Sequence, residues 1–501
     1  MSGRREFGDY QTPQYFAYKI CRLVKEKYNL KPSFVLEPTC GTGSFLQGSL
    51  IFDADEYLGI DINKLYCEEC RTNINDSRVE IICSDFFQYD MQELAEKQNI
   101  LVIGNPPWVN NSTLAGKHNL PAKSNFRKMK GIEALTGESN FDISEAIILR
   151  LINHLKAKGL SIAMLCKISV ARRLFCEIRR EGINFSCFDM FTFDAETVFK
   201  ADVKACLIFI DMRQEYKQNG KCTVYSLDDP LHTVSLLEYI NGKVINASAF
   251  CNDNFFGKCA FEWHQGVKHD CAKIMELTET GGNTLHNGLN EVVDIEPEII
   301  FPLVKSSMIK CPVINQFSKH VIVTQKYIRH DTLYIKHSMP LAWEYLNKNI
   351  AFFMKRKSIV YRSMPLFSMF GVGEYSYSQY KVAISGFYRK PLFSLLYSLD
   401  GRPVMTDDTI YFMCFDSYDE AYTAMIILNT EHVQKFLEAA AFPDAKRIYT
   451  KKLLEIIDFS KICDRTKFSM LRHTEETLKL NSYLNENMLN MFCKRINILQ
   501  G

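Results

Sequence analysis

A chain of 501 residues exceeds what one hydrophobic core ordinarily supports, so two to four domains are expected. With 47% hydrophobic and 24% charged residues it has the composition of a globular protein. No apolar run is long enough to cross a bilayer, and the N-terminal MSGRREFGDY lacks the apolar core of a secretory signal, so a cytoplasmic chain with no membrane partner is expected. The net charge of +2 is uninformative as a total, and seventeen scattered cysteines point to reduced thiols rather than a disulfide framework. Cys67 and Cys70 form a lone CxxC with no second pair at zinc spacing, so no metal site is expected.

In chain order, a helical pattern at 13–28 precedes FVLEP (34–38), YLGIDI (57–62), VEIICSD (79–85) and ILVIGNPP (100–107). A second helical pattern at 143–158 leads to LSIAMLC (160–166), INFSCFDMF (183–191) and VKACLIFID (203–211). Strands alternating with helices predict a mainly parallel α/β sheet covered on both faces, whose ligands bind beyond the carboxyl ends of the strands. After residue 211 the alternation stops. EYKQNG and SLDDP read as polar connector, predicting a catalytic domain over 1–214, a connector over 215–244, a mixed α+β domain over 245–460 and a helical segment over 461–501.

Three strand ends carry groups that suit a nucleoside. The first runs into Thr39-Cys40-Gly41-Thr42-Gly43-Ser44-Phe45, where glycines permit a sharp turn and the following helix start offers free N–H groups. The second ends in Asp61 beside Ile62, a carboxylate able to accept both hydroxyls of a ribose. The third ends in Asp85-Phe86, a carboxylate for an adenine amino group beside a ring that can stack on it.

The fourth strand delivers Asn105-Pro106-Pro107-Trp108. Two prolines remove two N–H donors and leave a carbonyl free to face a ligand. An exocyclic aromatic amine is a poor nucleophile because its lone pair is delocalised into the ring. The Asn105 oxygen and the Pro106 carbonyl can accept its two hydrogens and localise that lone pair, while Trp108 stacks on the planar base.

EPTCGTGSFL, GIDIN and SDFF, in that order, resemble the class I S-adenosylmethionine methyltransferases. The resemblance implies S-adenosylmethionine as cofactor, with Glu37, Thr39, Gly41 and Gly43 near its methionine moiety, Asp61 on the ribose, and Asp85 and Phe86 on the adenine. Gly8-Asp9-Tyr10-Gln11-Thr12-Pro13 is similar to the N-terminal motif of the same enzymes, which puts Thr12 near the cofactor carboxylate. NPPW resembles the [DNS]PP[YFW] signature of amino-group methyltransferases, with Trp in place of the more usual Tyr. The motif order resembles the gamma group of DNA adenine-N6 methyltransferases of type II restriction-modification systems, over roughly residues 8–211. The resemblance further implies that Asn140-Phe141-Asp142 line the cofactor site and that Phe199 stacks on the target base opposite Trp108.

Such an enzyme must extrude its base from double-stranded DNA and read sequence with another surface. Residues 301–400 hold fourteen basic and four acidic residues, a net of +10, interleaved with aromatics. Lys355, Arg356, Lys357, Arg362, Arg389, Lys390 and, further on, Lys446 and Arg447 are the candidate DNA-binding residues of a target-recognition domain. A cognate restriction endonuclease would be a separate chain. The competing readings are an RNA adenine-N6 methyltransferase, a glutamine-N5 methyltransferase, which would carry a helical domain before the cofactor loop, and a nonenzymatic nucleic-acid-binding module.

Overall fold

The computed structural model describes residues 10–109, 142–213, 220–248, 254–281, 284–445 and 447–500. The chain divides into two compact units, Met1–Ser248 and Ala249–Gly501.

The first unit is built on a ten-stranded sheet in the order β10-β9-β8-β6-β7-β5-β4-β1-β2-β3. Strands β1 (Phe34–Glu37), β2 (Glu56–Asp61), β3 (Val79–Cys83), β4 (Ile100–Gly104) and β5 (Ser161–Lys167) are mutually parallel. β7 (Lys204–Asp211) is inserted antiparallel between β5 and β6 (Cys187–Asp194). Every residue of β1 and β4 is buried, as a central parallel strand requires. The strand order switches direction at β1, which pairs in parallel with β2 on one side and β4 on the other, so a crevice opens at their carboxyl ends. The helix Gln14–Tyr28 buries Phe16, Ala17, Ile20, Cys21 and Val24, one stripe at helical spacing.

The stretch expected as a connector is different. From Lys221 onward it forms β8 (Lys221–Ser226), β9 (Thr233–Ile240) and β10 (Lys243–Asn246), which extend the same sheet through a parallel pairing of β6 with β8. The first unit therefore runs to Ser248, past the boundary expected at 214. These are outlying strands with many half-exposed positions, so KCTVYS and TVSLLEYI lack the continuous apolar run of the central strands.

Among its described residues the second unit contains two five-stranded sheets together with helices, a mixed α+β arrangement; their outer strands are β11 (His264–Gln265) and β15 (Val313–Ile314) in the first and β13 (Thr284–His286) and β19 (Met405–Thr406) in the second. In the first sheet β17 (Tyr380–Ser385) lies antiparallel to both β18 (Phe393–Leu396) and β20 (Ile410–Phe415). In the second, β16 (Lys319–Ile322) lies antiparallel to β12 (Glu276–Thr280) and β14 (Ile300–Val304). The chain ends in the helices Phe468–Thr477 and Glu486–Gln500, the latter burying Leu489, Phe492 and Ile496. These helices belong to the same compact unit rather than to a separate segment. Among the described residues no helix is long and apolar enough to cross a membrane.

Candidate active site

The crevice holds a cavity of about 430 Å³, open to solvent, lined by Tyr10, Thr12, Glu37, Thr39, Asp61 and Asn105 among others. The turn after β1 is shaped by two left-handed residues, Gly41 (φ 51°) and Gly43 (φ 90°). A Cβ at Gly43 would lie 2.6 Å from Cys70 Sγ, and one at Gly41 would lie 2.7 Å from Gln11 Oε1. Gly43 thus excludes a larger side chain on strain and space, and Gly41 disfavours one on strain, since its close neighbour is the far end of the flexible Gln11 side chain.

Asp61 holds this turn in place. Its Oδ2 accepts Gly41 N–H at 2.8 Å and its Oδ1 accepts Asn63 N–H at 2.8 Å. Glu37, 3% exposed, accepts Leu46 N–H at 3.0 Å from the helix after the turn. Burial, with Cys70 nearby, pushes the Glu37 carboxyl well above the usual carboxylate range.

Asn105 follows β4 directly. Its Nδ2 donates to the Tyr10 carbonyl at 2.9 Å and to Thr12 Oγ1 at 3.2 Å. Its Oδ1 is buried and, among the described residues, has no hydrogen-bond partner, and Thr39 Oγ1 is in the same condition. Pro106 and Trp108 are buried, Trp108 to 4% exposure, and Pro107 lines the cavity.

Other expected residues are placed less directly. Asp85 and Phe86 reach the same edge, since Ser84 N–H donates to the Asp61 carbonyl at 2.9 Å, but neither lines the cavity. Asp85 Oδ1 accepts Phe87 N–H at 2.9 Å, and the Phe86 ring is buried with the Arg150 guanidinium 5.9 Å from its centroid. Ile62 is 53% exposed beside Asp61. Asp142 is 1% exposed, caps the helix Ile143–Leu155 through Ser144 N–H and pairs with Lys167 at 2.8 Å, a structural ion pair outside the cavity lining. Gly8, Asp9, Asn140 and Phe141 lie outside the described residues.

Trp108 and Phe199 come together, but not as two parallel faces. Their ring centroids lie 5.3 Å apart at 78°, edge to face, with Tyr10 5.5 Å from Trp108 and Phe16 5.8 Å from Phe199. A base between two stacked rings needs about 7 Å, twice a carbon–carbon contact. The slot is closed in this arrangement. Tyr10 and Gln11 were not singled out as cavity residues; their position immediately before Thr12-Pro13 was the available signal.

With this geometry in place, comparison with known proteins is decisive. Residues 2–234 match the N-6 DNA Methylase family model. The type II methyltransferase M.NspV of Nostoc sp. (strain ATCC 29411 / PCC 7524) is 36% identical over 468 residues, covering 90% of this chain and 96% of that protein. The chain belongs to the N-6 DNA methylase family of type II methyltransferases.

A second relative of this methylase, type II methyltransferase M.CvrRI of Paramecium bursaria Chlorella virus XZ-6E, is 33% identical over 92 residues, 18% of this chain and 22% of that protein. Among solved structures, the type IIL restriction-modification enzyme MmeI in complex with DNA matches with a TM-score of 0.53 at 12% identity, over 97% of this chain and 71% of that one. The methylase thus has the class I S-adenosylmethionine methyltransferase fold followed by a mixed α+β unit. The sheet order and the match to MmeI agree on this.

In the second unit of the methylase the candidate DNA-binding residues divide. Lys355, Lys357, Arg362, Arg389 and Lys390 are exposed. Arg356 instead folds back, donating to the Ser368 carbonyl at 2.6 Å and lying 3.8 Å over the Tyr361 ring. Arg447 bonds Tyr411 Oη at 3.0 Å and pairs with Asp408 at 3.3 Å. Lys446 lies outside the described residues. Two further members of the +10 stretch face inward. Lys305 pairs with Glu276 at 2.8 Å, and Lys381, 1% exposed, donates to the carbonyls of Ser376, Ser378 and Val404. Burial pushes the Lys381 ammonium down to about 8. Sequence reports charge but not its direction.

Among the described residues there is no group of His, Cys, Asp and Glu that could hold a metal ion, and Cys67 and Cys70 are both buried.

Proposed function

We propose that the methylase binds S-adenosylmethionine in the cavity at the ends of β1, β2 and β4 and methylates the exocyclic N6 of an adenine rotated out of double-stranded DNA. The observation that carries this reading is the Asn105 amide, fixed through its Nδ2 with its Oδ1 buried and unpaired. A buried acceptor without a donor costs about 1–3 kcal/mol. A ligand N–H at that position removes the penalty.

The cavity suits the cofactor on its own terms, because Thr39 Oγ1 is a second polar atom in its wall without a partner among the described residues, and the Asp61 carboxylate lines the same cavity. Asp61 would hold the ribose hydroxyls, and Thr12, Glu37 and Thr39 the methionine end. When bound, S-adenosylmethionine supplies a methyl group activated by a sulfonium. The rest of the chemistry belongs to this chain's residues. Asn105 Oδ1 and the Pro106 carbonyl accept the two hydrogens of the adenine amine, draw its lone pair out of conjugation and stabilise the positive charge that develops on nitrogen. The excess proton passes to solvent from the methylated amine. Trp108 supplies a stacking face, and entry of a base between it and Phe199 requires one of the two rings to move.

The reading makes the protein the modification enzyme of a restriction-modification system, its nuclease being a separate chain. Expression in bacteria free of DNA methylation, followed by mapping of modified bases, tests it. N6-methyladenine at one recurring sequence is expected. A genome without it, from cells containing folded protein, overturns the proposal.

A further inference from the structure

The loop that follows β16 in the second unit has an unusual construction. Both of its feet are held by buried polar side chains. Thr324, fully buried, donates to the Phe367 carbonyl at 2.7 Å, and Thr332, 1% exposed, donates to the Leu366 carbonyl. Gln325, also fully buried, spans the loop: its Nε2 donates to the His330 carbonyl and its Oε1 accepts Met369 N–H at 2.8 Å. A ring ladder stiffens one side, with His330 stacked on Tyr334 at 4.8 Å and Tyr327 4.7 Å from His330.

The crown between these feet faces solvent. Lys326, Tyr327, Ile328 and Arg329 are four consecutive exposed residues, Tyr327 at 58% and Ile328 at 45%. Arg329 adopts a left-handed backbone, φ 71°. A side-chain-bearing residue there costs about 1–2 kcal/mol and is retained only where the surroundings enforce it. Among the described residues neither Lys326 nor Arg329 has an acidic partner, unlike Lys305 and Arg447.

We infer that residues 326–329 are a braced loop that reads base edges of double-stranded DNA, with Arg329 as its principal reader. This rests on the DNA-methyltransferase reading above. The alternative use of the two bases, as phosphate contacts, needs only charge on a flexible stem and no fixed backbone. A base-edge contact needs orientation held to a fraction of an ångström, which is what the clamped feet and the enforced left-handed residue supply. The arginine fork matches guanine O6 and N7, and the adjacent exposed Ile328 and Tyr327 offer apolar surface for a thymine methyl group.

The test uses the full-length methylase and a set of duplexes containing the sequence it methylates and each single-base variant of that sequence. Arg329→Asn removes the guanidinium while keeping a residue that tolerates left-handed backbone. Melting temperature and S-adenosylmethionine affinity should be unchanged. Discrimination at one or two base positions should fall about ten- to a hundredfold, and Arg329→Lys, which cannot fork, should lose it as well. Equal weakening on all sequences with a shallower salt dependence would make Arg329 a phosphate contact and overturn the inference. Unchanged discrimination would also overturn it. A wild-type enzyme that methylates no duplex overturns the parent reading, and this one with it, before any variant is compared.

Discussion

Two carboxamides in the methylase are held in nearly the same way and end in opposite conditions. Gln325, in the second unit, donates through Nε2 to the His330 carbonyl, and its oxygen accepts Met369 N–H. Asn105, at the end of β4, donates through Nδ2 to the Tyr10 carbonyl and Thr12 Oγ1, and its oxygen accepts nothing from the described residues. On the proposed function, the carboxamide whose donor the fold supplies is structural, and the other meets the substrate amine. Gln325 braces a surface loop; Asn105 presents an acceptor to the cavity. Asp142 and Asp61 also differ in place: Asp142 is tied to Lys167 and Ser144 outside the cavity lining, whereas Asp61 holds its turn and lines the cavity.

The largest effect expected from this comparison is at Asn105. Asn105→Ala should lower turnover by at least about a hundredfold, the size of effect seen when one preorganised polar group is removed from a reacting centre. Cofactor affinity should stay within a few-fold, because the lost oxygen faces the amine rather than the cofactor. Steady-state kinetics with parallel calorimetry checks both. A rise in KM alone would make Asn105 a binding group.

Asp61→Ala should come next. Losing charge-assisted hydrogen bonds to the cofactor should cost about 1.5–3 kcal/mol of affinity. Because Asp61 also ties Gly41 and Asn63, the free protein should melt at a lower temperature as well, measurable by calorimetry without cofactor. Asp85→Ala should weaken cofactor binding less, since Asp85 does not line the cavity and one of its oxygens caps Phe87 N–H.

The smallest effect is at Glu37. Burial raises its carboxyl above the ordinary value of 4.5, so the folded state holds that proton more tightly than the unfolded chain. Stability is therefore lost as pH rises above 4.5, where the unfolded chain ionises more readily than the folded one. Glu37→Gln keeps an acceptor for Leu46 N–H and removes the ionisation. The melting temperature should rise by a few degrees at neutral pH, and the gain should vanish as pH falls towards the glutamate range. A gain independent of pH would contradict the assignment.

Much of the first unit was legible in sequence. Strands β1, β2 and β4 to β7 announced themselves because central strands must be largely apolar, the half-exposed edge strand β3 by its place in the alternation, and Gly41, Gly43, Asp61 and Asn105 because turns and strand ends have narrow residue requirements. The illegible parts share a cause: they depend on contacts between residues far apart in the chain. β8 to β10 are half-exposed and so read as polar connector. Arg356 and Lys381 counted as surface charge, although one lies over Tyr361 and the other sits among three backbone carbonyls. The edge-to-face contact of Trp108 with Phe199 is a matter of ring orientation, which no spacing of residues reveals.

The central claim is that the unpaired Asn105 oxygen is reserved for the N6 amine of adenine. It is tested most directly by one turnover with methyl-labelled S-adenosylmethionine on unmethylated duplex DNA, followed by nucleoside mass spectrometry. All label is predicted in N6-methyladenine, and within the time of one wild-type turnover Asn105→Ala should transfer no more than about a hundredth of it at saturating cofactor. Label on cytosine N4, or undiminished N6 labelling by the variant, would contradict it.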